Sequence, residues 1–300
     1  MKNKYWIYYL ILVFTLQSCE KSAQVEEQEA ATATETTTAS KNLNISILLD
    51  LSDRISPTKY STPGMEIYNR DLGYISSISK AFETHLKNSK IRQMNDNIQV
   101  FFEPEPMNTE INTISQKMKL SFNKNNITKD AISQISPIYK NSSSNIYQLA
   151  LHDKKFVGSD IWTFFKNKAT DYCILPKHRN ILVILTDGYM FHVDNKIKQE
   201  NKTTYLTPEF IKGSKLNVPN YKDVINQNKF GFIPATQNLH DLEVVVLGIN
   251  PKKGEAFEED IIVKYWEDWL KAMQVKKLYI KGADLPSNLD PVISKIILGK

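Results

Sequence analysis

Cysteine is scarce in this chain: Cys19 and Cys173 are its only two. So thin a supply excludes a disulfide-stapled scaffold. Cys173 lies in Asp171-Tyr172-Cys173-Ile174-Leu175, an apolar approach to a strand, and reads as a small buried hydrophobe rather than a nucleophile. Cys173 and His178 stand too isolated for a zinc site, and His152-Asp153 and His240-Asp241 have no nucleophile motif beside them. Gly-x-Ser-x-Gly, a phosphate-cradling glycine loop and His-Glu-x-x-His are all missing. Charges are mixed, 38 basic against 33 acidic for a net of +5, with no Lys/Arg run interleaved with aromatics. Nucleic acid is therefore not implied as a partner. No internal repeat is present, and the N-terminal apolar run, residues 5–16, is too short for a comfortable membrane span.

What the N-terminus has is an export pattern. Lys2 and Lys4 precede that apolar run, and Leu16-Gln17-Ser18-Cys19 follows it. The tetrapeptide resembles the bacterial lipobox, which implies a signal peptide over 1–18 and lipidation at Cys19. Acyl chains on Cys19 imply a membrane-anchored envelope protein, with the outer membrane as the expected site and the face left open. Residues 26–40 are Glu, Gln, Ala, Thr and Ser with no large apolar side chain, so 19–41 reads as a disordered tether. Residues 42–300 are enough for one α/β domain with elaborations.

The order of elements in that domain is an α/β alternation. Strands are predicted at 44–51, 98–102, 181–185, 242–248 and 277–280 from their apolar runs. A long helix is predicted over 65–87, with Thr62 as cap, Pro63 in its first position and a stripe of Ile67, Leu72, Ile75, Ile78, Phe82 and Leu86. Helices are expected over 111–122, over 127–139 with Pro137 ending it early, and over 145–152. Ser159 or Asp160 is expected to cap a helix at Ile161. The span 258–273 carries Ile262, Trp266, Trp269 and Met273 on one stripe, and Asp290-Pro291 is expected to open a last helix. The fold class is α/β, Rossmann-like, with a mainly parallel central sheet covered by helices on both faces.

Two of those strands end in an acidic residue, Asp50 after Ile45-Ser46-Ile47-Leu48-Leu49 and Asp187 in Leu185-Thr186-Asp187-Gly188. Carboxyl ends of parallel strands are where open α/β sheets place ligands. Two carboxylates with hydroxyls nearby form a hard oxygen site suited to a divalent cation.

The motif order resembles the von Willebrand factor type A domain, over residues 43–280. That resemblance implies a metal-ion-dependent adhesion site binding Mg²⁺ or Mn²⁺, with ligands Asp50, Ser52 and Asp187 and a middle loop contributed by Ser159 or Asp160, with Ser144 as a rival. It further implies a protein partner that offers an acidic side chain to the metal. One position departs from the pattern: Arg54 stands where a second serine is expected. A guanidinium has no acceptor atom and cannot ligate a metal. Arg54 and Asp53 are therefore read as modulating residues, with Arg54 either repelling the cation or taking its place.

Between Asp187 and the 242–248 strand lies an insertion, about 189–240, longer than a crossover needs. Residues 189–193 and 203–206 are predicted to pair as a hairpin, and the insertion should stand on the ligand-facing rim. His192 and Asp194 are expected on that rim, as solvent-facing groups rather than a second metal pair. The functional expectation is a lipid-anchored protein that binds another protein at this rim. A Mg²⁺-dependent hydrolase is the alternative, weakened by the want of an evident general base. A structural component of an envelope complex is the third reading.

Overall fold

The computed structural model describes residues 41–300 apart from Ser61 and Pro63. The expected signal peptide, the lipidated Cys19 and most of the tether lie outside the described residues. In chain order the elements are β1 Leu43–Leu49, α1 Ile67–Asn88, β2 Asn95–Phe101, α2 Thr109–Lys117, β3 Leu120–Asn123, α3 Lys129–Ser133, α4 Ile135–Asp153, α5 Ile161–Asn167, α6 Ala169–Cys173 and β4 Arg179–Leu185. They continue as β5 Lys198–Gln199, β6 Lys202–Thr203, α7 Pro208–Gly213, α8 Tyr221–Asn228, β7 Gly231–Phe232, β8 Leu242–Ile249, α9 Glu258–Ala272, β9 Lys277–Gly282 and α10 Pro286–Leu298. No helix among the described residues is long and apolar enough to cross a membrane.

Six strands form one sheet in the order β3-β2-β1-β4-β8-β9. Only β3 runs antiparallel to its neighbour. The central strands are buried on both faces because both sides of the pleat are covered. Ile45, Ile47, Leu49, Ile181, Val183 and Leu185 face a layer that includes Tyr74, Ile78 and Phe82 of α1 and Ile293 of α10. Leu48, Leu182, Ile184, Val244 and Val246 face the opposite layer, with Phe164 and Phe165 of α5 and Trp266 and Trp269 of α9. The period of two along each strand thus sorts one continuous apolar run into two cores. Each of these large side chains contributes about 1.5–3 kcal/mol by leaving water.

Several expectations change in detail. Helix α1 begins at Ile67 behind Glu66, and the Thr62 hydroxyl instead donates to the Met65 carbonyl at 2.7 Å. The span 111–122 divides into the end of α2 and the edge strand β3. Pro137 does not end a helix; it sits in the first turn of α4, where its missing N–H would have no intrahelical partner. Residues 135–153 are consequently one helix. Pro286, not Asp290-Pro291, opens α10, and Pro291 lies inside it. Gly73 in α1 lets that N-terminus approach: a Cβ there would fall 2.3 Å from the Pro286 ring.

The insertion is woven into the core rather than laid on it. Leu206, Ile211, Leu216, Tyr221, Ile225, Phe232 and Leu239 are buried against α9 and the sheet. The Trp162 and Trp269 indoles both donate to the Ile233 carbonyl, at 2.7 and 2.9 Å, and Trp266 donates to Gly188 at 2.9 Å. The expected hairpin survives as a single antiparallel bridge between Met190 and Leu206, while β5 and β6 form the tight pair and β7 joins β6 in parallel.

Candidate functional site

Strand β1 delivers Asp50 to the carboxyl edge of the sheet, where its amide continues the ladder to Leu185 at 3.1 Å. Both carboxylate oxygens are then committed: Oδ1 accepts from the Ser52 amide at 2.9 Å and Oδ2 from the Thr186 hydroxyl at 2.8 Å. The threonine of Thr186-Asp187-Gly188 therefore holds Asp50.

The next turn, Asp53–Ile55, is a single 3₁₀ turn that aims Arg54 inward. Its side chain is only 2 % exposed. Nε donates to the Asp50 carbonyl at 2.9 Å, and Nη2 donates to Leu185 O at 2.8 Å and to Asp71 Oδ2 at 2.7 Å. Nε also stands 3.5 Å from Asp50 Oδ2. Asp71, from α1, is itself sealed from solvent and accepts a second hydrogen bond at 2.8 Å from the Tyr147 hydroxyl of α4. Burial opposes the charge on Arg54, but Asp71 and Asp50 outweigh it and hold the guanidinium's pKa above its ordinary value. Burial lifts the Asp71 carboxyl above the usual range against the pull of Arg54 and Tyr147.

Asp71 and Tyr147 did not emerge from the sequence as site residues. The available signal was position: Asp71 falls four residues after Ile67 and four before Ile75, on the apolar stripe of α1. A carboxylate there must be paired inside the protein.

Asp187 takes a different environment. It is half-buried, and its Oδ1 accepts from the Tyr189 amide at 3.1 Å. Among the described residues it makes no ion pair within 4 Å. Burial, and then the neighbouring Asp50, push its carboxyl up to about 7, against a smaller opposing pull from Arg54. Asp187 faces a cavity of about 540 Å³. Ser52, Asp53 and Ser159 share that lining, with Tyr60, Ile67, Phe191 and Pro208 as apolar wall and Lys59, Glu209, Lys252 and Lys253 around it.

Ser159 is placed there by a reciprocal bridge. Its amide donates to Phe191 O at 2.9 Å, and the Phe191 amide donates back at 3.0 Å. Gly158 permits the approach, at φ +90° with a would-be Cβ 2.4 Å from that same Phe191 oxygen. Ser159 is 4 % exposed, yet its hydroxyl has no hydrogen-bond partner among the described residues.

The remaining sequence-predicted residues go elsewhere. Asp160 is the cap of α5, accepting from the Thr163 amide at 3.1 Å, and also accepts from Asn195 at 2.7 Å; it does not line the cavity. Ser144 lies in mid-α4. Asp53 pairs with Lys59 at 2.9 Å on the surface. Asp194 is exposed and His192 half-buried, 3.9 Å from Asp160.

The motifs led to the expectation of Mg²⁺ or Mn²⁺ at this edge. The donor set does not suit one. Asp50 has both oxygens occupied, and a permanent cation, Arg54, fills the space between Asp50 and Asp71. What faces the cavity is the half-buried carboxylate of Asp187 with serine hydroxyls, besides Asp53 paired to Lys59 and the exposed Glu209, and among the described residues no cluster of three or more His, Cys, Asp or Glu is poised for a metal.

No family model matches this chain, and no curated protein matches it. Among solved structures, a point mutant of the PilB minor pilin from Streptococcus sanguinis is similar over 88% of this chain and 62% of that one, at 11% identity and a TM-score of 0.38. The pilus adhesin SpaC from Lactobacillus rhamnosus GG, in an open conformation, is similar over 86% of this chain and 30% of that one, at 9% identity and a TM-score of 0.36. This chain thus spans less than two-thirds of the length of either. The resemblance to the von Willebrand factor type A domain is overturned: no model of that family matches this chain. The motif misled at Arg54, which spends Asp50 on holding a guanidinium.

Proposed function

We propose that this chain is an envelope-anchored binding protein that takes part of a partner protein into the cavity at the carboxyl ends of β1 and β4. Arg54 stands there as the cation that the motifs led one to expect from solution. The observation that carries this reading is the cavity itself, with a buried unpartnered hydroxyl, Ser159, and an unpaired carboxylate, Asp187, at its polar side. The insertion supplies the rim. Its base is locked into the core, while Phe191, Val193 and Ile197 stay 41%, 64% and 43% exposed. Apolar side chains held out on a rigid base suit a protein contact. Anchoring through Cys19 belongs to the same proposal, since it would hold the domain at a membrane.

A photo-crosslinking residue at Phe191 tests it in intact cells, with the same residue at Ile91 as control. Ile91 is 59% exposed and precedes β2, at the opposite end of the strands. A discrete adduct from position 191 and none from 91 supports the proposal; equal labelling from both removes it. The hydrolase reading draws support from Asp187, whose carboxyl near 7 is suited to a general base. Turnover of nitrophenyl esters or phosphates that is lost in Asp187→Asn would favour it over binding.

A further inference from the structure

We propose that the polar side of this cavity receives a primary ammonium, presented by a lysine of the partner. The proposal rests on the reading of the cavity as the partner site. Three carboxylates, Asp50, Asp71 and Asp187, gather at this edge around one guanidinium. Arg54 Nε and Nη2 are engaged by Asp71 and by the main chain of Asp50 and Leu185, while its Nη1 is buried without a partner among the described residues. Asp187 is left with a backbone amide and, among the described residues, no ion pair within 4 Å. On the lining of the same cavity, the Ser159 hydroxyl is buried and has no partner among the described residues. A buried polar group without a partner costs free energy that an incoming ligand recovers.

An ammonium carries three donors and no acceptor, which matches a cavity lined by a carboxylate and a hydroxyl. A carboxylate from the partner would meet Asp187 with Asp50 behind it, and like charges in a poorly solvated site repel. Tyr60, Ile67 and Phe191 give the apolar surface along which a lysine stem lies while its head stays polar. The volume, about 540 Å³, leaves room for the stem and for backbone beside it. The other charges facing the cavity act from solvent: Lys59 is paired with Asp53, and Glu209, Lys252 and Lys253 are exposed. Salt screens those over about 8 Å and screens the half-buried Asp187 much less.

Calorimetric titration of the full chain with Nα-acetyl-lysine methylamide tests this, with the norleucine and glutamate analogues and Mg²⁺ as comparators. The lysine compound should bind about tenfold tighter than norleucine, the scale of one charge-assisted hydrogen bond. Asp187→Asn and Ser159→Ala should each weaken it severalfold, while thermal melts report that both variants fold. Equal binding of norleucine, unchanged binding in Asp187→Asn, or preference for glutamate or Mg²⁺ overturns it. If the adduct from position 191 persists in Asp187→Asn at wild-type yield, the ammonium is removed and the partner site stands. If position 191 gives no adduct in the wild type, the partner site itself falls.

Discussion

Arg54 Nη2 lies 2.7 Å from Asp71 Oδ2, with both side chains only 2 % exposed. Removing one member of a buried pair leaves the other charged and unsolvated, a loss of about 3–5 kcal/mol. Arg54→Met should therefore destabilise the domain by that order in urea titration. Arg54→Met combined with Asp71→Leu should recover much of it, because no charge is then stranded against α4. A double variant as unstable as the single would show that the pair is not the determinant.

The same arginine decides the response to divalent cations. Millimolar Mn²⁺ should leave the melting temperature of the wild-type protein unchanged. In Arg54→Ala, where Asp50 and Asp71 lose their paired cation and Asp187 a nearby positive charge, Mn²⁺ should raise it by RT ln(1 + [L]/Kd). A wild-type rise that Asp187→Ala abolishes would instead establish a resident metal.

Asp187 carries a pH signature. Its carboxyl is raised to about 7 by burial and then by Asp50, against an ordinary value near 4. Between those two values the folded chain keeps a proton that the unfolded chain has released. Its contribution to stability is thus fully present below about pH 4 and is lost as pH rises through 7. Asp187→Asn should gain on the wild type as pH rises from 5 to 8, by roughly 5 °C in Tm. A constant difference across that range would contradict the raised pKa.

Asp160 should matter to shape rather than to ligand. Asp160→Ala removes the cap on α5 and the bond to Asn195, a cost of about 1–2 kcal/mol. Hydrogen exchange should quicken at Asn195 and at the Ser159–Phe191 bridge before the central strands respond. Protection unchanged there would mean that Asp160 does not hold the insertion.

Cys173 is fully buried, and its thiol is pushed up to about 12 by burial, with Ser46 pulling slightly the other way. It should resist iodoacetamide in the native protein at neutral pH and react once the chain is denatured. Rapid native labelling would refute the reading of Cys173 as a packing residue.

Much of the fold was legible because it is written locally. The runs ending at Leu49 and Leu185, the strand containing Val244 to Leu247 and the stripe through Trp266 and Trp269 needed no distant partner to be recognised. Strand β3 was not legible: four residues following α2 give no period, and their pairing with β2 is a long-range fact. Pro137 split α4 on paper because its place in the first turn depends on where the helix starts. At the site, Asp50 and Asp187 were visible as strand ends. The division of labour between Ser159 and Asp160 was not, since adjacent residues separated by one bond are sent to a cavity wall and a helix cap by the bridge to Phe191. The role of Arg54 hinged on Asp71, seventeen residues on and on another element.

A cation that arrives from solution can be diluted away or stripped by a chelator. The guanidinium of Arg54 is covalently tethered four residues along the chain from Asp50, so its effective concentration at that position never falls. The carboxyl ends of β1 and β4 consequently keep their shape irrespective of the mineral content of the surroundings. For a domain expected to work outside the cytoplasm, where divalent ions come and go, this fixes the cavity's geometry before any partner arrives.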